Sequence, residues 1–261
     1  SEMCIRDSLI DGGSNIGKRF GMSDRIVGLT ICAVGTSMPE VFVSVTSAMG
    51  GNADVAVGNI VGSNMANLLL ILGITAVILP MNLAHRTTRF EVPLSIVAIM
   101  IFALFANTDG NIGAVEGVVL LGCFVFFIVN SVLSGQHEDE DDKAAGIEQV
   151  QEPIKKHSVL RDLIFIAGSI ALLKFGADFV VDNAVIIASE LGVSQRIIGL
   201  TIVSVGTSLP ELVTSTVAAF KGSTDAAVGN VVGSNISNLF LVAGAPAIFS
   251  PVGFSTAYNL D

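Results

Sequence analysis

Two short segments of the sequence place a glutamate inside an apolar stretch. They read TSMPE at 36–40 and TSLPE at 207–211, with proline directly before Glu40 and Glu211. A carboxylate at the depth of a membrane core costs about 3 kcal/mol or more, so it needs a function or a partner. Proline inside a helix removes a backbone hydrogen bond and displaces the preceding turn. We therefore expect carbonyls of that turn to be free for binding. They lie around Ala33, Thr36, Ser204 and Thr207.

A second pair of segments adds hydroxyl and amide groups. GSNMAN at 62–67 and GSNISN at 233–238 each hold a serine and an asparagine four residues apart, which share one helix face. Further serines, Ser37 and Ser208, stand beside the glutamates. All these groups are hard oxygen donors, which suit Ca²⁺ and Na⁺ rather than zinc or copper. One polar stripe alone could serve packing, but duplication of the whole set indicates ion binding. The stripe residues are Ser63, Asn67, Ser234 and Asn238.

The motifs belong to an internal repeat. Residues 28–73 match residues 199–244 without a gap at an offset of 171, with 26 identities in 46 positions. Apolar runs predict five helices from one copy to the next, near 27–49, 55–79, 91–107, 113–133 and 160–189. Because five is odd, the second copy enters the membrane from the opposite side, as in the inverted repeats of secondary transporters. Further helices are predicted within 197–220 and 226–249.

The basic residues support this topology. With the loop between the repeats in the cytoplasm, ten of the 13 Lys and Arg residues fall in cytoplasmic connections and only Arg196 falls in an outer one. Positive charge accumulates on the cytoplasmic side of membrane proteins. The predicted fold class is therefore an all-α polytopic membrane protein with inverted repeats of five helices.

Composition agrees with a membrane protein. The chain is 51% hydrophobic and 14% charged, with a mean hydropathy of +0.74. Its net charge of −10 argues against nucleic acid as a partner. Much of that charge lies at 138–142, within a hydrophilic segment. We divide the chain into a first repeat at 1–133, an acidic cytoplasmic loop at 134–158 and a second repeat at 159–261.

The two copies differ at their outer ends. The helix before the second copy has almost no counterpart before the first, and the two helices after the first copy have none after the second. We expect about eight helices of a ten-helix protein, with the first repeat truncated at its N-terminus and the second at its C-terminus.

The paired GTSxPE and GSNxxN motifs resemble those of the sodium/calcium exchanger family, within the cation/calcium antiporter superfamily, and most closely its prokaryotic members. The resemblance implies ten helices in two inverted repeats, with ions bound between the second, third, seventh and eighth helices. It implies that Glu40 and Glu211 are the central calcium ligands. Carbonyls of Thr36 and Thr207 would contribute, and Asn67 and Asn238 would complete the centre. Sodium sites would use Ser37, Ser63, Ser208 and Ser234, with the carbonyls of Ala33 and Ser204.

This resemblance implies that the protein is a transporter and not an enzyme. The transporter would exchange Ca²⁺ for Na⁺ by alternating access in a prokaryotic inner or plasma membrane. The expected partners are the two ions and the lipid bilayer, with no cofactor and no obligate protein partner. Coupling to H⁺ or a requirement for K⁺ stays open, since some family members carry Asp where Asn238 stands. An intramembrane carboxylate protease is disfavoured, because its Tyr-Asp and Gly-x-Gly-Asp patterns are absent.

Overall fold

A computed structural model of the chain describes residue 22 and residues 24–78, 87–144, 185–220 and 222–260, with isolated positions between 164 and 183. Most of these residues are helical, as predicted. In chain order the helices are α1 (Gly28–Thr36), α2 (Met38–Met49), α3 (Ala53–Ile78), α4 (Thr87–Thr108), α5 (Ala114–Ala144), α6 (Gln195–Thr207), α7 (Leu209–Phe220) and α8 (Thr224–Phe249). A helical turn, Asp24–Val27, precedes α1.

These helices are long and apolar enough for a multi-pass membrane protein. Four of them, α3, α4, α5 and α8, have the length and composition to cross a bilayer singly. The pairs α1/α2 and α6/α7 each meet the same criterion when the two helices are taken together, with a bend of 43° between them. The described residues therefore supply up to six spans. Most of the predicted helix at 160–189 lies outside the described residues, and positions 185–189 within it are helical.

Small elements close one end of the bundle. Strand β1 (Asn111–Ile112), between α4 and α5, pairs antiparallel with β2 (Val252–Gly253), which follows α8. A 3₁₀ turn, Thr256–Leu260, comes next. The ring of Phe254 packs edge-on against Phe102 of α4, with their centroids 6.1 Å apart. The segment that follows α8 is thus packed onto the first repeat.

Helix α5 is longer than the sequence pattern predicts. The predicted helix ends at 133 and the acidic loop begins at 134, yet the helix continues to Ala144. Residues 134–144 contain no proline to end the helix. The loop therefore begins later than expected, and its remainder, 145–158, lies outside the described residues.

The bend in each broken span has the same geometry in both repeats. It occurs at Ser37, with φ −80° and ψ 3°, and at Ser208, with φ −83° and ψ 4°. Each serine stands two residues before a proline, Pro39 or Pro210, which lacks the N–H that would continue the helical ladder. The break therefore follows from the motif itself.

The two repeats pack across each other through glycines. A Cβ at Gly233 of α8 would lie 2.6 Å from the Leu29 carbonyl oxygen and 2.8 Å from the Ala33 Cβ, so no larger residue fits without separating α8 from α1. At the equivalent place in α3, a Cβ at Gly62 would lie 2.6 Å from Ser204 Oγ of α6. This close approach resembles the small-residue packing of membrane helices.

These contacts set the relative directions of the helices. The first part of α3 packs on α6 and its last part on α7, so α3 runs parallel to the broken span α6/α7. Helix α3 also follows α2 after a tight turn and packs against it, which makes α3 antiparallel to α1/α2. The two broken spans consequently run in opposite directions. Their sidedness in a bilayer stays a prediction.

Cysteine labelling can test that sidedness. Gly51 and Gly222, at equivalent turns, have φ of 78° and 80°, which disfavours other residues, so the next positions suit the test better. In a cysteine-free background, we expect a membrane-impermeant thiol reagent to label Asn52→Cys from outside and Ser223→Cys from the cytoplasm. Labelling of both positions from one side would contradict the inverted arrangement.

Candidate functional site

The two motif glutamates lie in the first turn after each helix break. Glu40 on α2 is fully buried, and Glu211 on α7 is 1% exposed. The two turns lie next to each other in the structure. Two carboxylates are thus placed inside membrane-spanning segments, as the sequence predicts.

Each carboxylate is bound by a serine of the other repeat. The Ser37 hydroxyl donates to Glu211 Oε1 at 3.2 Å, and the Ser208 hydroxyl donates to Glu40 Oε1, also at 3.2 Å. Both serines are the residues at which the spans break, so the same residue that bends one repeat contacts the glutamate of the other. The two hydrogen bonds form a reciprocal cross-link at the centre of the molecule.

Several buried oxygens around this cross-link lack a partner. The second oxygen of each carboxylate, Oε2 of Glu40 and of Glu211, has no hydrogen-bond partner among the described residues. The same holds for Asn67 Oδ1, Asn238 Oδ1 and Ser234 Oγ, all predicted from the sequence. Burying a charged or polar atom without a partner is costly. Such oxygens suit a bound cation, and hard oxygen ligands suit Ca²⁺ and Na⁺.

The asparagines of the GSNxxN motifs lie where their helices widen. Asn67 falls in a π-helical stretch of α3, Ala66–Ile71, and Asn238 begins the equivalent stretch of α8, Asn238–Val242. Such wide turns are often found at functional sites, because they leave the regular hydrogen-bond ladder. Within the described part of the chain, no group of three or more His, Cys, Asp or Glu residues could hold a metal. Any ion here would therefore rely on two carboxylates and neutral oxygens.

The chain matches the family described as sodium/calcium exchanger protein over residues 3–133 and 162–261. It belongs to the sodium/calcium exchanger family. The resemblance inferred from the paired motifs is thereby confirmed.

Individual relatives agree with the family match. CaxA of Alkalimonas amylolytica is 40% identical over 245 residues, which cover 94% of this chain and 76% of that protein. The sodium/calcium exchanger MaX1 of Methanosarcina acetivorans is 30% identical over 279 residues, covering 94% of this chain and 79% of its own length. The solved structure of the sodium-calcium exchanger NCX_Mj soaked with 2.5 mM Na⁺ and 0.1 mM Ca²⁺ aligns with a TM-score of 0.76 at 27% identity. That alignment covers 97% of this chain and 80% of NCX_Mj.

The expectation for the freed carbonyls needs a correction. The carbonyls of Ala33 and Ser204 are not free, because each accepts a backbone hydrogen bond of 3.0 Å from the serine at the break. The donor that Pro39 removes would have faced the carbonyl four residues earlier, which belongs to Gly35. Each of these carbonyls also lies near a threonine hydroxyl, with Thr36 Oγ1 3.4 Å from the Ala33 oxygen and Thr207 Oγ1 3.3 Å from the Ser204 oxygen. A hydroxyl donates only one hydrogen, and both threonines have a nearer acceptor, so each carbonyl keeps one lone pair for an ion.

The predicted threonine and serine side chains have partners nearby. Thr36 donates to the Cys32 carbonyl at 2.9 Å within α1, whereas Thr207 donates to Asn59 Oδ1 of α3 at 3.0 Å. Ser63 is fully buried and its hydroxyl lies 3.5 Å from the same oxygen of Asn59. Thr207 and Ser63 thus meet at an asparagine that the sequence pattern did not single out.

Four buried polar residues were missed. They are identical in both repeats and lie in otherwise apolar helices, so a search for repeated polar identities outside the two motifs would have found them. Each asparagine of this set donates to a serine across the helix hairpin of its own repeat, at 3.0 Å in the first and 2.9 Å in the second. They are Asn59, Asn230, Ser44 and Ser215.

The cross-link predicts a cost for removing either serine. Ser37→Ala leaves Glu211 Oε1 buried without this donor, and Ser208→Ala does the same to Glu40. A hydrogen bond to a charged group contributes about 1.5–3 kcal/mol, so both variants should melt at a lower temperature in ion-free detergent solution. Ser95→Ala is the matched control, since that hydroxyl donates within α4 to the Val92 carbonyl. Equal melting temperatures for all three variants would contradict the role given to the cross-link.

Proposed function

We propose that this protein is a secondary antiporter that exchanges Ca²⁺ for Na⁺ by alternating access, with Glu40 and Glu211 as the central ligands. One observation carries the proposal. Two buried carboxylates from opposite repeats are tied by reciprocal serine bonds, and each keeps one oxygen without a partner among the described residues. Membership of the sodium/calcium exchanger family supports the choice of ions.

The charge of the centre fits a divalent cation. Glu40 and Glu211 supply two negative charges, while the side chains of Asn67 and Asn238 are neutral amides. One Ca²⁺ neutralises the two carboxylates, and the amide oxygens complete its shell as dipoles. Thr36 and Thr207 would add backbone carbonyl oxygens. Calcium commonly takes six to eight oxygen ligands of these types.

Sodium would occupy subsites that share the same carboxylates. The candidate ligands are serine hydroxyls beside the glutamates and on the facing helices, with one lone pair from each of two carbonyls. Because both ions use the glutamates, each excludes the other and the two compete. These sodium ligands are Ser37, Ser63, Ser208, Ser234, Ala33 and Ser204.

The burial of the carboxylates also explains why the protein would exchange one ion for the other and would not let ions pass uncoupled. With both carboxylates ionised, an empty site holds two uncompensated charges in a poorly hydrated place, so the switch between inward- and outward-facing states is unfavourable. A protein with a loaded site, which is nearly neutral, switches more easily. Because the two broken spans run in opposite directions, each side of the membrane has an equivalent broken span, as in other alternating-access transporters built from inverted repeats.

Charge removal at the centre tests the proposal. Glu40→Gln and Glu211→Gln keep the shape of the side chain but remove one of two charges, so Ca²⁺ affinity should fall by about 100-fold or more in each. Asn238→Ala removes only a dipole and should weaken affinity by about tenfold or less. The measurement is Na⁺-driven ⁴⁵Ca²⁺ uptake by the full-length protein in proteoliposomes, as a function of Ca²⁺ concentration.

Glu116→Gln is the charge-matched control, because its carboxylate caps the backbone N–H of Gly113 at the start of α5, at 3.1 Å. Replacing the Na⁺ gradient by an H⁺ or K⁺ gradient identifies the coupling ion, and we expect Na⁺ alone to drive uptake. Near-normal exchange in either glutamine variant would remove the glutamates from the centre. Uptake driven by H⁺ without Na⁺ would overturn the assignment of the coupling ion.

A further inference from the structure

An asparagine in each repeat holds the main chain of the binding glutamate. Asn59 Nδ2 donates to the Glu40 carbonyl oxygen at 3.2 Å and to Ser44 Oγ at 3.0 Å. In the second repeat, Asn230 Nδ2 donates to the Glu211 carbonyl oxygen at 3.4 Å and to Ser215 Oγ at 2.9 Å. Both asparagines are fully buried.

These bonds reach the glutamates from a neighbouring helix. A carboxamide has two N–H groups, and the two acceptors on α2 use both of those of Asn59. The Glu40 carbonyl belongs to the first turn of α2 after the helix break. An amide fixed to that carbonyl limits how far the glutamate side chain can move. The same argument holds for Asn230 and α7.

The other end of each amide faces the opposite repeat. Asn59 Oδ1 accepts a hydrogen bond from the Thr207 hydroxyl at 3.0 Å. Asn230 Oδ1 is buried without a hydrogen-bond partner among the described residues, and the equivalent Thr36 hydroxyl instead donates to the Cys32 carbonyl. The asparagine and the threonine are the same residue types in both repeats, so their identity alone does not explain this difference.

We propose that Asn59 and Asn230 are positioning residues of the ion site. Each holds the main chain at the glutamate of its own repeat, and its side-chain oxygen is the acceptor for the threonine of the opposite repeat. In this structure that acceptor is occupied by Thr207 on Asn59 and open on Asn230. One amide therefore links a glutamate ligand to a threonine ligand across the interface. The inference rests on the proposed ion exchange at Glu40 and Glu211.

Leucine substitution separates positioning from packing. Asn59→Leu and Asn230→Leu nearly conserve volume but remove every hydrogen bond of the amide. We expect the Ca²⁺ KM of Na⁺-driven uptake to rise by about tenfold or more in each, with a smaller change in maximal rate. Ser44→Ala and Ser215→Ala, which leave one amide N–H without its acceptor, should raise KM by about two- to fivefold. These alanine variants carry the test if a leucine variant does not fold.

A double variant tests the link to the opposite repeat. If Asn59 acts on the site partly through Thr207, the effects of the two substitutions are not independent. The fold-increase in KM of the double variant Asn59→Leu/Thr207→Val should then be smaller than the product of the fold-increases of the two single variants. Strictly multiplicative effects would overturn the threonine part of the proposal. The melting temperature of every variant is measured alongside its kinetics.

Asn64→Leu is the matched control, because Asn64 lies on the same helix and its amide donates within that helix to the Ile60 carbonyl at 2.8 Å. We expect a wild-type KM for it. Wild-type KM in the Asn59 and Asn230 variants, with maximal rate and melting temperature falling together, would show a purely structural role and overturn the inference. Absence of Na⁺-driven Ca²⁺ uptake in the wild type would overturn the proposed exchange itself.

Discussion

Two carboxylates buried in an apolar bundle form the constraint on which the rest of the structure depends. A charge in that environment is unfavourable unless something compensates it, and each glutamate receives a hydroxyl hydrogen bond from the opposite repeat. The compensation is incomplete, because Oε2 of both Glu40 and Glu211 remains without a partner among the described residues. These unpartnered oxygens can coordinate a cation, and the cation can bind and leave reversibly.

The surrounding helices position the two repeats for these contacts between serine and glutamate. Proline after each break lets Ser37 and Ser208 leave the helical path and point across the interface. Glycines at Gly62 and Gly233 let α3 and α8 pack closely on the broken span of the opposite repeat. Because the broken spans run in opposite directions, the same short motif contributes a serine and a glutamate to the site from each repeat. A small local sequence, used twice, therefore builds the whole centre.

Much of this was predictable because the informative residues recur at an offset of 171. The glutamates, the serines at the breaks and the GSNxxN residues stand out as polar identities within apolar helices. The bonds of Asn59 depend on which carbonyl a neighbouring helix presents, and spacing along one helix does not reveal that. Thr36 and Thr207 have different partners although both stand in the same GTSxPE motif, so the motif alone does not predict those partners. The full length of α5 was not predicted, because charged residues are equally compatible with a loop and a solvated helix.

The central claim is that the paired glutamates make the bundle depend on a bound cation. The most direct measurement is the melting temperature of the purified protein over a range of Ca²⁺ concentrations, for the wild type and for Glu40→Gln combined with Glu211→Gln. A ligand that binds only the folded state raises its stability with concentration. The account predicts a Ca²⁺-dependent rise in the wild type and none in the double variant. The same rise in both proteins would contradict it.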